Sequence, residues 1–191
     1  MRNFGFVTYD KVEHVGTNGK MNEISAAMGL TSLEDMSHFI DVNRANYRAY
    51  REGLADVLGL RVLDHDDSER CNYQYVVVEV DEATTGLDRD RFIQVLTAER
   101  VLARRYFHPG CHRMEPYRSY FPHASLLLPV TERQSARVFS LPTGTAVGVA
   151  QVARICQILA TAVEHADELR GSLEPQAAVP GPFGVYRPRV A

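Results

Sequence analysis

His112, Glu115 and Tyr117 fall within one short stretch, HPGCHRMEPY at residues 108–117. An imidazole, a carboxyl and a phenol donate and accept protons when their surroundings tune them, so acid–base chemistry is one reading of this stretch. Arg104, Arg105, Arg113 and Arg118 surround it. Guanidinium groups suit a diphosphate through paired hydrogen bonds, although solvated surface charge is the commoner fate of such arginines. His108, Cys111, His112 and His123 are metal-ligand types. The H-x-x-C-H spacing aligns ligands only on a helix, and Pro109-Gly110 forbids that helix, so no metal site is expected. Cys111 beside His112 makes a poor nucleophile pair because adjacent side chains point apart. A buried loop cysteine is the simpler reading.

A second stretch, NGKMNEISAAMGL at residues 18–30, offers Asn18 between Gly16 and Gly19. Its amide can donate to a phosphate oxygen, and the glycines let the backbone approach closely. The competing role is a turn that caps the helix expected from Lys20. Among 21 Lys plus Arg, only Lys11 and Lys20 are lysines. Chemistry that needs a reactive side-chain amine therefore has few candidates here.

The elements that must position these groups belong to an ordinary globular chain. The length is 191 residues, with 45% hydrophobic and 24% charged residues, enough for a real core without staples. A net charge of -3 argues against nucleic acid as a bulk partner. Cys71, Cys111 and Cys156 are odd in number and widely spaced, which points to a reducing compartment. No apolar run approaches the ~20 residues of a membrane span. A cytoplasmic protein without membrane contact is expected.

Residues 1–19 read as irregular. A helix follows from Lys20 with a narrow apolar stripe on Ile24, Ala27 and Met28. Ser32 and Asp35 then predict a capped start to a long helix whose seam is Leu33, Met36, Ile40, Tyr47, Tyr50, Leu54 and Val57, interrupted by Asn43 and stopped at Leu58-Gly59. Short strands are expected at Arg61 to Leu63, Tyr73 to Val80 and Val101 to Phe107. Asp88 predicts a cap for a helix carrying Phe92, Val95 and Leu96. Residues 108–125 read as loop. Thr131 and Gln134 predict a capping box for a helix ending near Ser140. LPTGT is a turn, and Val149 to Val163 mark a last helix ending near Gly171. The order reads as α/β or α+β with few strands. The expected divisions are 1–32, a connector helix at 33–59, an α/β domain at 60–171 and a Pro-rich tail at 172–191.

RNFGF at Arg2 to Phe6, GTNGKMNEISAAMGLTSLE at Gly16 to Glu34, NRANYRAYREGL, NYQYVVVEVD, ARRYFHPGCHRMEPYR and LPTGTAV together resemble the second half of the DegT-type sugar aminotransferases. These are pyridoxal-phosphate (PLP) enzymes of the aspartate-aminotransferase fold type. The resemblance covers residues 2 to 165 and is strongest to members that aminate nucleotide-linked 4-keto-6-deoxysugars in natural-product pathways. It implies a small C-terminal α/β domain, a connector helix and the end of a larger cofactor domain. It implies that Asn18 reaches the cofactor phosphate of a neighbouring subunit. It also implies that His112, Glu115 and Tyr117 lie near the sugar-nucleotide entrance; Arg104, Arg105 and Arg113 are expected as further substrate contacts from their guanidinium chemistry.

The family's cofactor-holding lysine, its aspartate for the pyridine nitrogen and its stacking aromatic all precede the RNFGF motif. None is among these residues. PLP is therefore expected only together with a partner chain, either an N-terminal half or a full-length aminotransferase, and none for the isolated chain. A homo-oligomer and a nucleotide-sugar ligand remain open. Two other readings stand beside this one: a non-catalytic auxiliary or binding protein, and a PLP-independent enzyme acting through His112, Glu115 and Tyr117. An exposed apolar face around Ile24, Met28 and Leu33 is expected in every case where the larger domain is not part of the same chain.

Overall fold

The computed structural model describes residues 6–8, 11–66 and 68–172. The chain divides into two compact units, one ending at Asp41 and the other beginning at Val42. The expected Pro-rich tail, from residue 173 onward, lies outside the described residues.

In the first unit, β1 (Phe6–Thr8) and β2 (Lys11–Val12) pair antiparallel, where irregular chain was expected. Helix α1 (Glu23–Glu34) begins three residues later than its pattern predicted. The reason is Asn22, whose Oδ1 accepts from the Ser25 N–H at 2.8 Å and caps the helix. Asn18 is thus not the cap. The ladder of α1 also runs through Ser32, which caps nothing from inside a helix, and stops at Asp35, whose N–H bonds to Thr31 O at 3.2 Å. The single helix expected over 33–59 is accordingly shorter: α2 covers Met36–Gly53. Its last bonds tighten into turns, Ala55 N to Glu52 O at 3.3 Å and Val57 N to Leu54 O at 3.1 Å, before Gly59 at φ +84° reverses the chain.

In the second unit, β3 (Leu60–Val62), β4 (Val76–Val80), β5 (Arg104–Arg105) and β6 (Val138–Leu141) form an antiparallel sheet ordered β3-β4-β6-β5. β4 and β5 both run antiparallel to β6 and so parallel to each other. With α4 (Arg89–Ala98) between them, they make a βαβ unit split by the later strand. The fold is α/β. The expected strands around Tyr73 and Val101 are shorter than their apolar runs, since Tyr73 and Phe107 take left-handed backbone at φ +53° and +44°. β6 was not anticipated. The sequence pattern predicts a helix end at its residues Val138 to Ser140, but α7 (Pro129–Arg137) stops before them, with Leu128 rather than Thr131 at its N-cap.

The register explains the core. Val76 faces Leu141 and Val78 faces Phe139 across β4 and β6. Phe139 stacks on Phe92 of α4, ring centroids 6.3 Å apart. Asp88 caps α4 as expected, accepting from Arg91 N–H at 2.8 Å. Helix α8 (Val149–Glu164) packs on α4 and buries Val152, Ile155, Cys156, Leu159 and Ala162, and α9 (Ala166–Ser172) follows it. Gly53 is needed where α2 meets α8, because a Cβ there would lie 2.7 Å from Cys156 Sγ.

Asn43 does not interrupt the seam of α2. It is buried, donates to Asn72 O at 3.2 Å and accepts from Thr143 Oγ1 at 2.9 Å. Asn46, 1% exposed, donates to Val147 O at 2.9 Å. The Tyr50 hydroxyl donates to Pro142 O at 2.9 Å. These bonds tie α2 to the turn that leaves β6. Burial, with a smaller contribution from Cys156, pushes the Tyr50 phenol well above its ordinary range, so it remains a neutral donor. Replacing Asn46 by Ala strands the Val147 carbonyl and should cost about 2–3 kcal/mol, whereas Tyr50→Phe should cost about 1 kcal/mol. Urea unfolding with unchanged m-values tests both. An Asn46 variant as stable as wild type would show that these bonds contribute nothing.

Candidate functional site

The HPGCHRMEPY stretch leaves the edge strand β5, passes Phe107, and turns at Gly110, φ +86°. Gly110 is required twice: its φ disfavours a side chain, and a Cβ there would lie 2.9 Å from the His112 ring. A single 3-10 turn, Cys111–Arg113, then presents His112 and Arg113 to one carboxylate on α7. His112 Nε2 lies 2.7 Å from Glu132 Oε1. Arg113 Nε donates to Oε1 at 2.6 Å and Nη2 to Oε2 at 2.6 Å. Hydrogen bonds from Arg113 and then His112 hold the Glu132 carboxyl down to about 2. The partner of His112 is therefore Glu132, not Glu115.

Glu115 takes bonds from Ser119 Oγ at 2.5 Å and Arg118 Nε at 2.8 Å, and these hold it below the usual carboxylate range. Tyr117 opens the short helix α5 (Tyr117–Tyr120) and is exposed. The hydrogen bonds thus do not join His112, Glu115 and Tyr117 into one set. Arg105 Nε donates to Asp90 Oδ1 at 2.9 Å. The same carboxylate pairs with Arg89, whose guanidinium is 4% exposed and also donates to Ser135 O at 2.9 Å and Val138 O at 3.2 Å. Burial alone would raise the Asp90 carboxyl, but Arg105 and Arg89 outweigh it and hold it low. His108, beside this cluster, is pushed down by burial and then by the charges of Arg89 and Arg105. Arg104 stays exposed.

In chemical terms, an imidazole committed at Nε2 to a permanent carboxylate keeps Nδ1 as its second hydrogen-bonding atom, in a defined ring orientation. Cys111 is exposed, not buried as expected, because it opens the short turn after Gly110, and its neighbouring imidazole is already engaged by Glu132. Among the described residues no group of three or more His, Cys, Asp or Glu is placed to hold a metal ion, and no helix is long and apolar enough to cross a membrane. In the first unit, Asn18 is exposed, and Lys11 is exposed with its ammonium paired to Glu13. Sequence reasoning missed Glu132, Asp90 and Arg89. A signal existed for Glu132 and Asp90, each the acid in the first turn of a helix, and it names no partner.

The model of the DegT/DnrJ/EryC1/StrS aminotransferase family matches residues 1–160. The dTDP-4-amino-4,6-dideoxy-D-glucose transaminase of Escherichia coli is 28% identical over 159 residues, which are 83% of this chain and 43% of that protein. The Shigella dysenteriae transaminase of the same description is 33% identical over 117 residues, 61% of this chain and 32% of that one. The crystal structure of DesI, determined in the presence of its TDP-sugar product, is 52% identical, with a TM-score of 0.79 over 89% of this chain and 43% of DesI. These residues thus span less than half the length of the relatives they match.

The Glu132 latch has a signed pH dependence. A carboxyl held below its ordinary value of 4.5 contributes its full stability above that pH and loses it as pH falls toward about 2. A carboxyl-carbon NMR titration should therefore give Glu132 a midpoint near 2. Arg113→Ala should move it upward, because Arg113 is the largest cause. A midpoint unmoved by that substitution would mean the ion pair is absent in solution.

Proposed function

Because the chain belongs to the DegT/DnrJ/EryC1/StrS aminotransferase family, we propose that its residues serve PLP-dependent amino-group transfer to a nucleotide-linked 4-keto-6-deoxysugar. The observation that carries this reading is the 52% identity to DesI, a protein crystallised with its TDP-sugar product, over 89% of this chain. The E. coli relative, named as a dTDP-sugar transaminase, supports the same substrate class.

PLP, when bound, supplies the electron-withdrawing ring that makes amino-group transfer possible, and the family's enzymes hold it covalently through a lysine. The described residues do not by themselves fit that task. A condensing amine must be neutral, which burial or a neighbouring cation achieves. Lys11 is exposed and paired to an acid, and Lys20 is exposed. The lysine is then to be sought in polypeptide other than these residues, in an N-terminal half or in a full-length aminotransferase. Asn18, exposed and freed from helix capping by Asn22, is available as the ligand it offers to a neighbouring subunit's cofactor phosphate.

On the substrate side, His112 and Tyr117 are the proton-bearing groups that meet the sugar, and the exposed Arg104 is the cation for the diphosphate. Arg105 and Arg113 act through the loop, because Asp90 and Glu132 already engage them. Glu115 belongs to the loop's own bonding, which weakens the PLP-independent reading. The free Cys71, Cys111 and Cys156 fit a cytoplasmic setting.

The chain alone, given PLP and an amino donor, should yield no borohydride-stable pyridoxyl adduct on Lys11 or Lys20. It should transfer no amino group to a dTDP-4-keto-6-deoxysugar. Co-expression with the part of DesI that this chain does not cover should restore transfer. Mass spectrometry showing an adduct on either lysine, with transfer by the chain unaided, would defeat the proposal.

A further inference from the structure

A cavity of about 330 Å³ lies between α4, α8 and α9, lined by none of the candidate substrate residues. Val95 of α4, Ile158 of α8 and Leu169 of α9 line it and are only half-buried. Glu99, Arg154 and Glu168 belong to the same lining and are exposed. A concavity of this size with an apolar floor and a few charged groups is the usual form of a binding site. Two carboxylates against one guanidinium favour a basic occupant, and the floor favours aromatic or aliphatic side chains. Ser172, the last residue of α9, is also part of the lining. The chain therefore leaves α9 at the wall of the cavity.

We propose that the cavity is the seat of this chain's own segment FGVYRPR, residues 183–189. Phe183 and Tyr186 lie against Val95, Ile158 and Leu169, and Arg187 and Arg189 face Glu99 and Glu168. The charges after Ser172 are Glu174, Arg187 and Arg189, so the part that docks is purely basic. Glu168 is held in the lining only by a 3.3 Å contact with His165 Nδ1, which leaves it open to an arginine. Residues 173–182 can span up to about 33 Å, more than a cavity beginning at Ser172 requires. The tether keeps the segment at an effective concentration near millimolar, so modest contacts suffice. Pro180, Pro182 and Pro188 restrict its free conformations and lower the cost of ordering it. The exposed Ile24, Met28 and Leu33 of α1 are a poorer seat, because no charged residue occurs from Ile24 to Leu33 to meet the arginines. The segment of a second copy would make the same contacts without the tether. This inference does not rest on the aminotransferase reading.

The test places a photo-crosslinking amino acid at Phe183 or, separately, at Tyr186 of the full chain. An equal mixture of 15N-labelled and unlabelled chains separates crosslinks within a chain from those between copies. Both positions should crosslink within one chain to peptides that contain Val95, Ile158 or Leu169. Glu99→Lys combined with Glu168→Lys should lower that yield by about fivefold or more, and adding Arg187→Glu with Arg189→Glu should restore it. Both acids are exposed, so circular dichroism and melting should show an unchanged fold in the charge-reversed chain. Crosslinks to α1, crosslinks between copies, a yield indifferent to charge reversal, or no crosslink to the cavity would each overturn the proposal.

Discussion

The buried amides of Asn43 and Asn46 are the constraint on which the second unit depends. They reach the turn after β6 through Thr143, Gly144 and Val147, and Tyr50 adds the Pro142 carbonyl. Each unsatisfied carbonyl or amide in this position would carry a desolvation cost, so α2 has one depth and one rotation relative to the turn. The outgoing end of the central strand β6 is thereby held. Its incoming end is held by Arg89, whose guanidinium takes the carbonyls of Ser135 and Val138. A strand clamped at both ends fixes the register against β4 and with it the packing of Phe139 on Phe92.

The chemistry of the loop follows from that clamp. α7 runs directly into β6, so holding Ser135 and Val138 holds the helix that carries Glu132. Glu132 in turn collects His112 and Arg113 from a stretch expected as loop that instead folds into short helical turns at Cys111–Arg113, Tyr117–Tyr120 and Ala124–Leu127. Asp90 does the same for Arg105, from the first turn of α4. Two carboxylates on anchored helices thus organise the basic loop. The arginines do double duty: they neutralise the carboxylates, and they shape the surface that His112 and Tyr117 present. An arginine's type alone does not say which carboxylate holds it.

Where the pattern was local, the chain could be read closely. The seam Tyr47, Tyr50, Leu54 is buried as its spacing implied, Asp88 caps α4, and the valine run of β4 is a strand with both faces covered. Errors came where two local signals competed. Ser32 carries a capping signature but sits inside α1, because the helix-forming residues before it had already started the ladder at Asn22. Thr131 and Gln134 suggested a capping box, yet the helix begins at Pro129 and ends early enough for VFSL to become β6. Four apolar-rich residues suit a helix end or a buried strand equally, and only pairing with β4 and β5 distinguishes them. Asn43 looked like a defect in an apolar seam, since the acceptors and donors it meets lie 29 and 100 residues away.

The amino-acid sequence by itself determined the mixed helix-and-sheet class, the longer helices and the strand β4, the resemblance to sugar aminotransferases, and the scarcity of lysine. These depend on periodicity, capping, motif and composition, each expressed within a few neighbouring residues. Tertiary structure alone decided that His112 answers to Glu132 and not to Glu115, that Arg105 and Arg113 are engaged by carboxylates, and that none of α1 is buried among the described residues. Those outcomes depend on which distant groups the folded backbone brings within about 3 Å, where a hydrogen bond or ion pair becomes stronger than solvation. No local pattern encodes that distance.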